Sequence, residues 1–307
     1  MRILDFYKDY PDELSCKLKF KEIRDREGIT CKKCGGSAHY WKKDKWCYEC
    51  KKCKFRTSLR SGTIMQSSKL SFQYWFIAMH LVTSTKKSFS AKEMQRQLGH
   101  KRYEPIWAMM HKIRSVMGLR DAEYQLKNWI ELDEGFFETV NIHRNKEEKT
   151  KRGRGSQKQT KVLVMVESEP NDKNDNPHRP NKKVGYLKMK VIENLESQTL
   201  NQEIEKRVKE GTNSVSDDYS SYKKITSKIN NKPRKVTKKN VNTILPWVHK
   251  AISNAKRLLL DVHHRIDDDF LQNYLNEFCY KFNRRYFGDK TMERLIIAGV
   301  NHQWNEL

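Results

Sequence analysis

Two sets of side chains in this sequence have the types and spacing to do chemistry. The first is a run of cysteines: Cys31-x2-Cys34, fifteen residues, then Cys50-x2-Cys53, with Cys47 as a fifth thiol in the same stretch. A Cys-x-x-Cys knuckle lets two thiolates from one tight turn reach a single ion, and two knuckles at this separation complete a tetrahedral zinc site. A disulfide staple is the competing reading. It fits poorly, because the N-terminus MRILDFYKDYPDE is neither a signal peptide nor a transit peptide, and clustered cysteines in a reducing compartment serve metal. Cys47 competes with Cys50 for the second knuckle. Only Cys50 keeps the x2 spacing with Cys53, so the expected zinc ligands are Cys31, Cys34, Cys50 and Cys53. A segment of ~25 residues buries too little apolar surface to fold unaided, and the bound ion supplies the difference. Cys16 and Cys279 stand among apolar neighbours and read as small core residues.

The second set is a pair of carboxylates. Asp133 lies in the middle of a strand-like run, Trp129 to Thr139 (WIELDEGFFET), and Asp217-Asp218 follow a short strand over Thr212 to Ser216. A charge flanked by Ile130, Leu132 and Phe136 is costly unless it is paired or bound to metal. The plainer alternative is an Asp guarding an exposed sheet edge.

The elements that must position these groups follow from periodicity. Lys161 to Glu167 and Val184 to Ile192 read as two further strands, Ser197 to Lys209 as a helix, and Pro246 to Leu260 and Asp268 to Arg285 as helices. Three strands, a helix, a strand and then helices is the order of an RNase H-like domain. In that layout the first and fourth strands lie side by side, and carboxylates at the middle of one and the end of the other share a divalent cation. A basic loop, Asn141 to Lys161, is inserted between the first two strands.

Upstream, Phe72, Trp75, Phe76, Met79 and Val82 form a helical stripe. Ser90 and Glu93 have the spacing of a capping box, which opens a helix that ends at Gly99. A second helix, about Pro105 to Val116, carries Ile106, Met109, Met110 and Ile113. Helix, glycine turn and helix fit a DNA-binding helix-turn-helix or an ordinary helical hairpin. The first reading puts Lys101, Arg102 and Tyr103 at the start of the recognition helix.

Charge favours DNA. The 307 residues include 62 Lys+Arg against 38 Asp+Glu, a formal net charge of +24, which calls for a large polyanionic partner, nucleic acid by default. No apolar run approaches the ~18–20 residues that cross a bilayer; the longest, Trp75 to Val82, is interrupted by His80. A membrane or secreted protein is thereby disfavoured, and a cytoplasmic one expected.

Taken in order, the CxxC pairs, SGTIMQSSKLSFQYWFIAMH, ELDEGFFE, KRGRGSQKQTK, SDDYSSY, ISNAKR and NEFCYKFNRR run through nearly the whole chain. The set resembles the DDE-type insertion-sequence transposases with an N-terminal zinc ribbon, the ISXO-two-like group. The fold implied is α/β: an RNase H-like mixed sheet flanked by helices, preceded by a small zinc ribbon and a helix-turn-helix-like segment. The implied boundaries are residues 1–60, 61–124 and 125–307. The resemblance also implies cleavage of element ends and strand transfer, Mg²⁺ or Mn²⁺ at the catalytic site, and a homo-oligomer holding two DNA ends, in a nucleoid-associated bacterial protein. ELDEGFFE places the first catalytic carboxylate at Asp133, and SDDYSSY the second at Asp217, with Asp218 as the alternative register. The family's Glu or Asn seven residues before a Lys falls here on His249 before Lys256, so the implied set is Asp133, Asp217, His249 and Lys256, with Lys256 on DNA phosphate. Lys151, Arg152 and Arg154 of the basic loop are implied DNA contacts. The histidine keeps a second reading open, a catalytically inactive DNA-binding regulator derived from a transposase. A junction resolvase would share the chemistry but has less use for two DNA-recognition modules.

Overall fold

The computed structural model describes residues 1–140, 159–171 and 181–302, apart from 226, 238 and 264. The chain divides into two compact units, one of residues up to Arg120 together with those from Tyr286 onward, the other Asp121–Arg285.

The first unit opens with α1 (Ile3–Asp9) and α2 (Glu13–Glu27). The start of α2 is closed by a reciprocal box: the Asp12 carboxylate accepts the Ser15 N–H and the Ser15 hydroxyl accepts the Asp12 N–H. Cys16, Phe20 and Ile23 recur at helical spacing on its buried face. A three-stranded antiparallel sheet follows, β1 (His39–Lys42), β2 (Cys47–Cys50) and β3 (Arg56–Ser58). Then come α3 (Phe72–Ser84), α4 (Ala91–Leu98) and α5 (Glu104–Ala122). The apolar stripes of α3 and α5 turn inward: Phe72, Trp75, Phe76, Met79, Val82, Ile106, Met109, Met110 and Ile113 are all buried. Ser90 caps α4 by accepting the Glu93 N–H. The Glu93 carboxylate goes to Gln97 and Arg96 on the same helix, rather than back to the cap as the expected box would have it. Gly99 ends α4 in the left-handed region at φ 61°, a conformation glycine adopts without a Cβ penalty.

The second unit is built on β4 (Trp129–Glu138), β5 (Gln159–Pro170), β6 (Lys182–Ile192), α6 (Ser197–Arg207), β7 (Asn213–Asp217) and β8 (Asn230–Arg234). The sheet order is β6-β5-β4-β7-β8, with β4, β5 and β6 antiparallel and β7 and β8 parallel. This is the mixed RNase H-like sheet that the strand order implied. β8 was not anticipated. Its sequence, Asn-Asn-Lys-Pro-Arg, has no apolar alternation, and Pro233 is tolerable only because the strand is an edge. A short helix α7 (Val241–Ile244) leads into α8 (Pro246–Val262) and α9 (Asp268–Asn283).

Side chains alternate across β4. Ile130 and Leu132 join a core with Leu163, Met165, Leu200 and Ile204 on the α6 face. Phe137, with Val162, Val164 and Val166, packs under α8 and α9 on the other. Gly135 is what lets α8 lie close: a Cβ there would sit 2.8 Å from the Phe137 ring and 3.5 Å from Ile252.

The last described helix, α10 (Lys290–Asn301), packs on α2 and α3 of the first unit. The Gly299 carbonyl accepts the Ile64 N–H at 2.9 Å. The sequence reading ran a single domain from 125 to 307; the amphipathic face of α10, with Met292, Leu295, Ile296 and Val300 buried, finds its partners upstream instead. Among the described residues no helix is long and apolar enough to cross a membrane.

The ends of the second unit are tied by a buried network. Arg284 pairs with Asp121 and stacks on Tyr280, 3.7 Å from the ring centroid. Asn283 donates to Asp121 and to the Leu187 carbonyl, both at 2.9 Å, and accepts the Leu187 N–H at 2.7 Å. These groups brace the last helix of the unit. Removing one partner of a buried ion pair strands the other charge, at about 3–5 kcal/mol. Arg284→Ala is therefore expected to lower stability by that amount in urea unfolding, with Arg284→Lys recovering part of it.

Candidate metal and active site

The cysteines come together first. The Sγ atoms of Cys31, Cys34, Cys50 and Cys53 lie within 4.8 Å of one another, with Cys31–Cys53 at 3.5 Å and Cys34–Cys50 at 3.6 Å. Four sulfurs around a zinc ion with bonds of ~2.3 Å sit ~3.8 Å apart, so the donor set fits that ion. The two knuckles repeat one turn. The Gly35 N–H donates to the Cys31 carbonyl and the Lys54 N–H to the Cys50 carbonyl, and both residues following the knuckles have positive φ, 70° and 60°. Gly36 leaves room for the cluster, since a Cβ there would stand 3.5 Å from two of the sulfurs. Backbone N–H groups, that of Cys53 first, hold the Cys50 thiol down at about 6. Cys47 is buried on β2 outside the group, and Cys16 and Cys279 are buried as well. Some of the ribbon's lysines are engaged with its own rings, Lys51 and Lys54 over Tyr40 and Lys21 of α2 over Trp41.

The second cluster forms at the parallel seam of the larger sheet. Leu132 of β4 registers with Ser216 of β7, so the next residues, Asp133 and Asp217, stand side by side on neighbouring strands ~4.8 Å apart. Ligand atoms of Asp133, Glu134 and Asp217 all lie within 4.8 Å of one another. Asp218, one residue past the strand end, is exposed and outside this group.

Glu134 was missed by the sequence reading, although it directly follows Asp133 in ELDE. Successive strand residues point to opposite faces, and that rule hid a side chain able to reach round at the seam. Its backbone N–H donates to Asp133 Oδ1 at 2.8 Å. Burial, then the charges of Asp133 and Asp217, raise its carboxyl from 4.5 to about 7. Its Oε1 is buried and finds no hydrogen-bond partner among the described residues. Tyr222, 1% exposed, belongs to the same environment: burial and then Glu134, Asp133 and Asp217 push its hydroxyl well above its ordinary value.

Crowded carboxylates with an orphaned oxygen suit a hard divalent cation. Two Mg–O bonds of ~2.1 Å bring two oxygens no farther apart than ~4.2 Å, so only a small contraction separates this trio from a ligand set.

His249, the fourth residue of α8, brings Nε2 to 3.4 Å from Asp133 Oδ2. Burial holds the imidazole below its ordinary value, against the opposing pull of Glu131 and Asp217.

Lys256 stands elsewhere. Seven residues on, ~10.5 Å along the helix, its ammonium lies 5.7 Å from the Phe137 ring centroid. There it lines a cavity of about 500 Å³ with Phe136, Leu259, His263 and Arg265. Lys101, Arg102 and Tyr103 are exposed immediately before α5. Lys151, Arg152 and Arg154 lie outside the described residues.

A mixed five-stranded sheet with an acidic cluster where its antiparallel and parallel halves meet defines an RNase H-like α/β domain. The ISXO2-like transposase domain matches residues 125–283, more than half of the chain, and the protein belongs to that family. No curated protein matches it. Among solved structures the chain has a loose likeness to a pre-cleavage Mos1 transpososome, at 11% identity over 74% of this chain and 78% of that one, TM-score 0.26. A Mos1 transposase paired-end complex with the left transposon end gives 12% identity over 74% and 79%, TM-score 0.27.

Elemental analysis is expected to give one zinc per chain, lost in Cys50→Ser together with the fold of the ribbon. A second outcome concerns pH. Because Glu134 is raised in the folded state, the native protein keeps a proton that the unfolded chain releases between about 4.5 and about 7. Its contribution to stability therefore falls as pH rises through that window. Urea midpoints of the metal-free protein should show this fall relative to Glu134→Gln, and Mn²⁺ should remove it.

Proposed function

We propose that this protein is a DNA transposase that cleaves insertion-sequence ends and transfers the freed strand to target DNA. The observation that carries the reading is the convergence of Asp133, Glu134 and Asp217 at one sheet seam with His249 beside them. In this reading Asp133 and Asp217 hold Mg²⁺ or Mn²⁺, and Glu134 supplies the oxygen ligand that a histidine in the third position does not. Bound divalent ions supply nucleophile activation and stabilise the leaving 3′ oxygen. The protein's own share is alignment and charge placement, which phosphodiester chemistry chiefly requires. His249 orients the attacking water or 3′ hydroxyl, and its neutral ring accepts the proton that the attack releases.

DNA is held by other parts of the chain. The zinc ribbon over residues 1–60 and the helical segment over 61–124 recognise the element ends, with Lys101, Arg102 and Tyr103 entering the groove or gripping phosphate. Lys256 contacts DNA phosphate, and Lys151, Arg152 and Arg154 of the basic loop clamp the strand. Two ends are joined in a homo-oligomer, in the cytoplasm and on the nucleoid.

The regulator reading rests on His249 alone, and the third carboxylate weakens it. Asp133→Asn and Asp217→Asn are each expected to lower metal-dependent nicking of cognate end DNA by at least about 10²–10³-fold, on the order of an electrostatic catalytic contribution, while gel-shift affinity for that DNA stays within about threefold. Wild-type protein that binds the ends tightly and never cuts them would establish the inactive regulator instead.

A further inference from the structure

Glu131 lies two residues before Asp133 on β4 and is 1% exposed. Nothing in the chemistry proposed above uses it, yet its carboxylate meets four partners. Oε2 accepts the backbone N–H groups of Trp247 and Val248 at 2.8 and 2.9 Å. Oε1 accepts the Ser168 hydroxyl at 2.5 Å and lies 3.8 Å from Lys182 Nζ.

Those two amides are the first donors of α8. Pro246 opens the helix and has no N–H, and the preceding residue, Leu245, makes no side-chain cap. Helix-start N–H groups have no acceptor within their own helix, and a negative charge there is favoured by the helix dipole. A cap normally comes from the residue just before the helix. Here it comes from a strand 116 residues earlier in the chain.

The geometry has a consequence for the active site. Glu131 and Asp133 project from the same face of β4, ~6.6 Å apart. Val248 and His249 are consecutive on α8. Fixing Val248.N–H to residue 131 therefore fixes which α8 side chain arrives at residue 133. The Trp247 indole strengthens the clamp by donating to the Lys182 carbonyl at 2.9 Å, while Lys182 Nζ donates to the Ile244 carbonyl at 2.9 Å. Gly135 and Ile252 set the depth of the packing one turn farther on.

We propose that Glu131 is a positioning residue, a cap supplied by β4 that sets the register of α8 and so holds His249 against Asp133. This rests on the transposase reading for its catalytic consequence, but the cap itself does not.

The test separates reach from charge. Glu131→Gln keeps an oxygen at the same distance, whereas Glu131→Asp keeps the charge and withdraws it by one methylene. Hydrogen exchange on the full-length protein, with thermal melts showing that each variant is folded, is expected to find the Trp247 and Val248 amides protected in wild type. Protection should persist in Glu131→Gln and fall at least tenfold in Glu131→Asp. Mn²⁺-induced broadening of the His249 ring signal, assigned with His249→Asn, should weaken in the Asp variant. Nicking of end DNA should fall at least tenfold there with unchanged DNA affinity, and be largely rescued by Gln. Equal protection in wild type and Glu131→Asp overturns the cap. Lost protection with undiminished broadening and nicking overturns the positioning role. A wild type that never nicks removes the transposase reading, and amide protection and broadening then decide this proposal.

Discussion

Like charges held within a few ångströms repel, and the sheet unit is organised around imposing that proximity. Asp133 and Asp217 lie more than eighty residues apart in the chain, and the parallel ladder between β4 and β7 leaves them no separate place to go. Glu134 comes round from the adjacent position and takes up a proton at a higher pH than a free carboxyl would. A backbone ladder is stiff enough for this because its strain is spread over many hydrogen bonds and two buried faces. One face is sealed by α6 and the turn carrying Tyr222. The other is sealed by α8 and α9. The carboxylates sit where those faces open at the seam, so folding itself builds in the repulsion between them.

The small sheet that carries the cysteine cluster solves the opposite problem. It has almost no core of its own, and four sulfurs provide a centre that side-chain packing could not. Its two knuckles adopt the same backbone turn, yet glycine follows only the first. Lys54 takes the left-handed conformation in the second, where a side chain is tolerated at a cost of ~1–2 kcal/mol. The lysine's ammonium lies over Tyr40, which keeps its stem on the ribbon surface.

Much of this architecture was legible before the coordinates. Strand β5 carries a long apolar run, β4 and β6 mix apolar with charged residues, and the stripes of α3 and α5 recur at unambiguous helical spacing, so burial followed pattern. The thiol cluster was legible because ligand spacing in a knuckle is a local property. What escaped was non-local or polar. β8 is held by its neighbour rather than by its own sequence. Glu134 directly follows Asp133 on a strand, where the period-two rule puts it on the opposite face. Lys256 shares a helix face with His249, but a face two turns long spans more than one site, and Phe137 receives it instead of the acidic cluster. Helical amphipathicity tells that α10 needs a partner and says nothing of which one.

That last helix changes how the chain should be thought of as a linear object. Residues 121–285 form an insert, entered from the first unit at one end and left for the same unit at the other. The insert's two termini are adjacent, because Asp121 and Arg284 are bonded to each other. A ribosome making this protein completes the whole sheet before it supplies the helix that finishes the N-terminal core. The first unit is thus the last to mature, and its assembly reports that everything between its halves has already been synthesised.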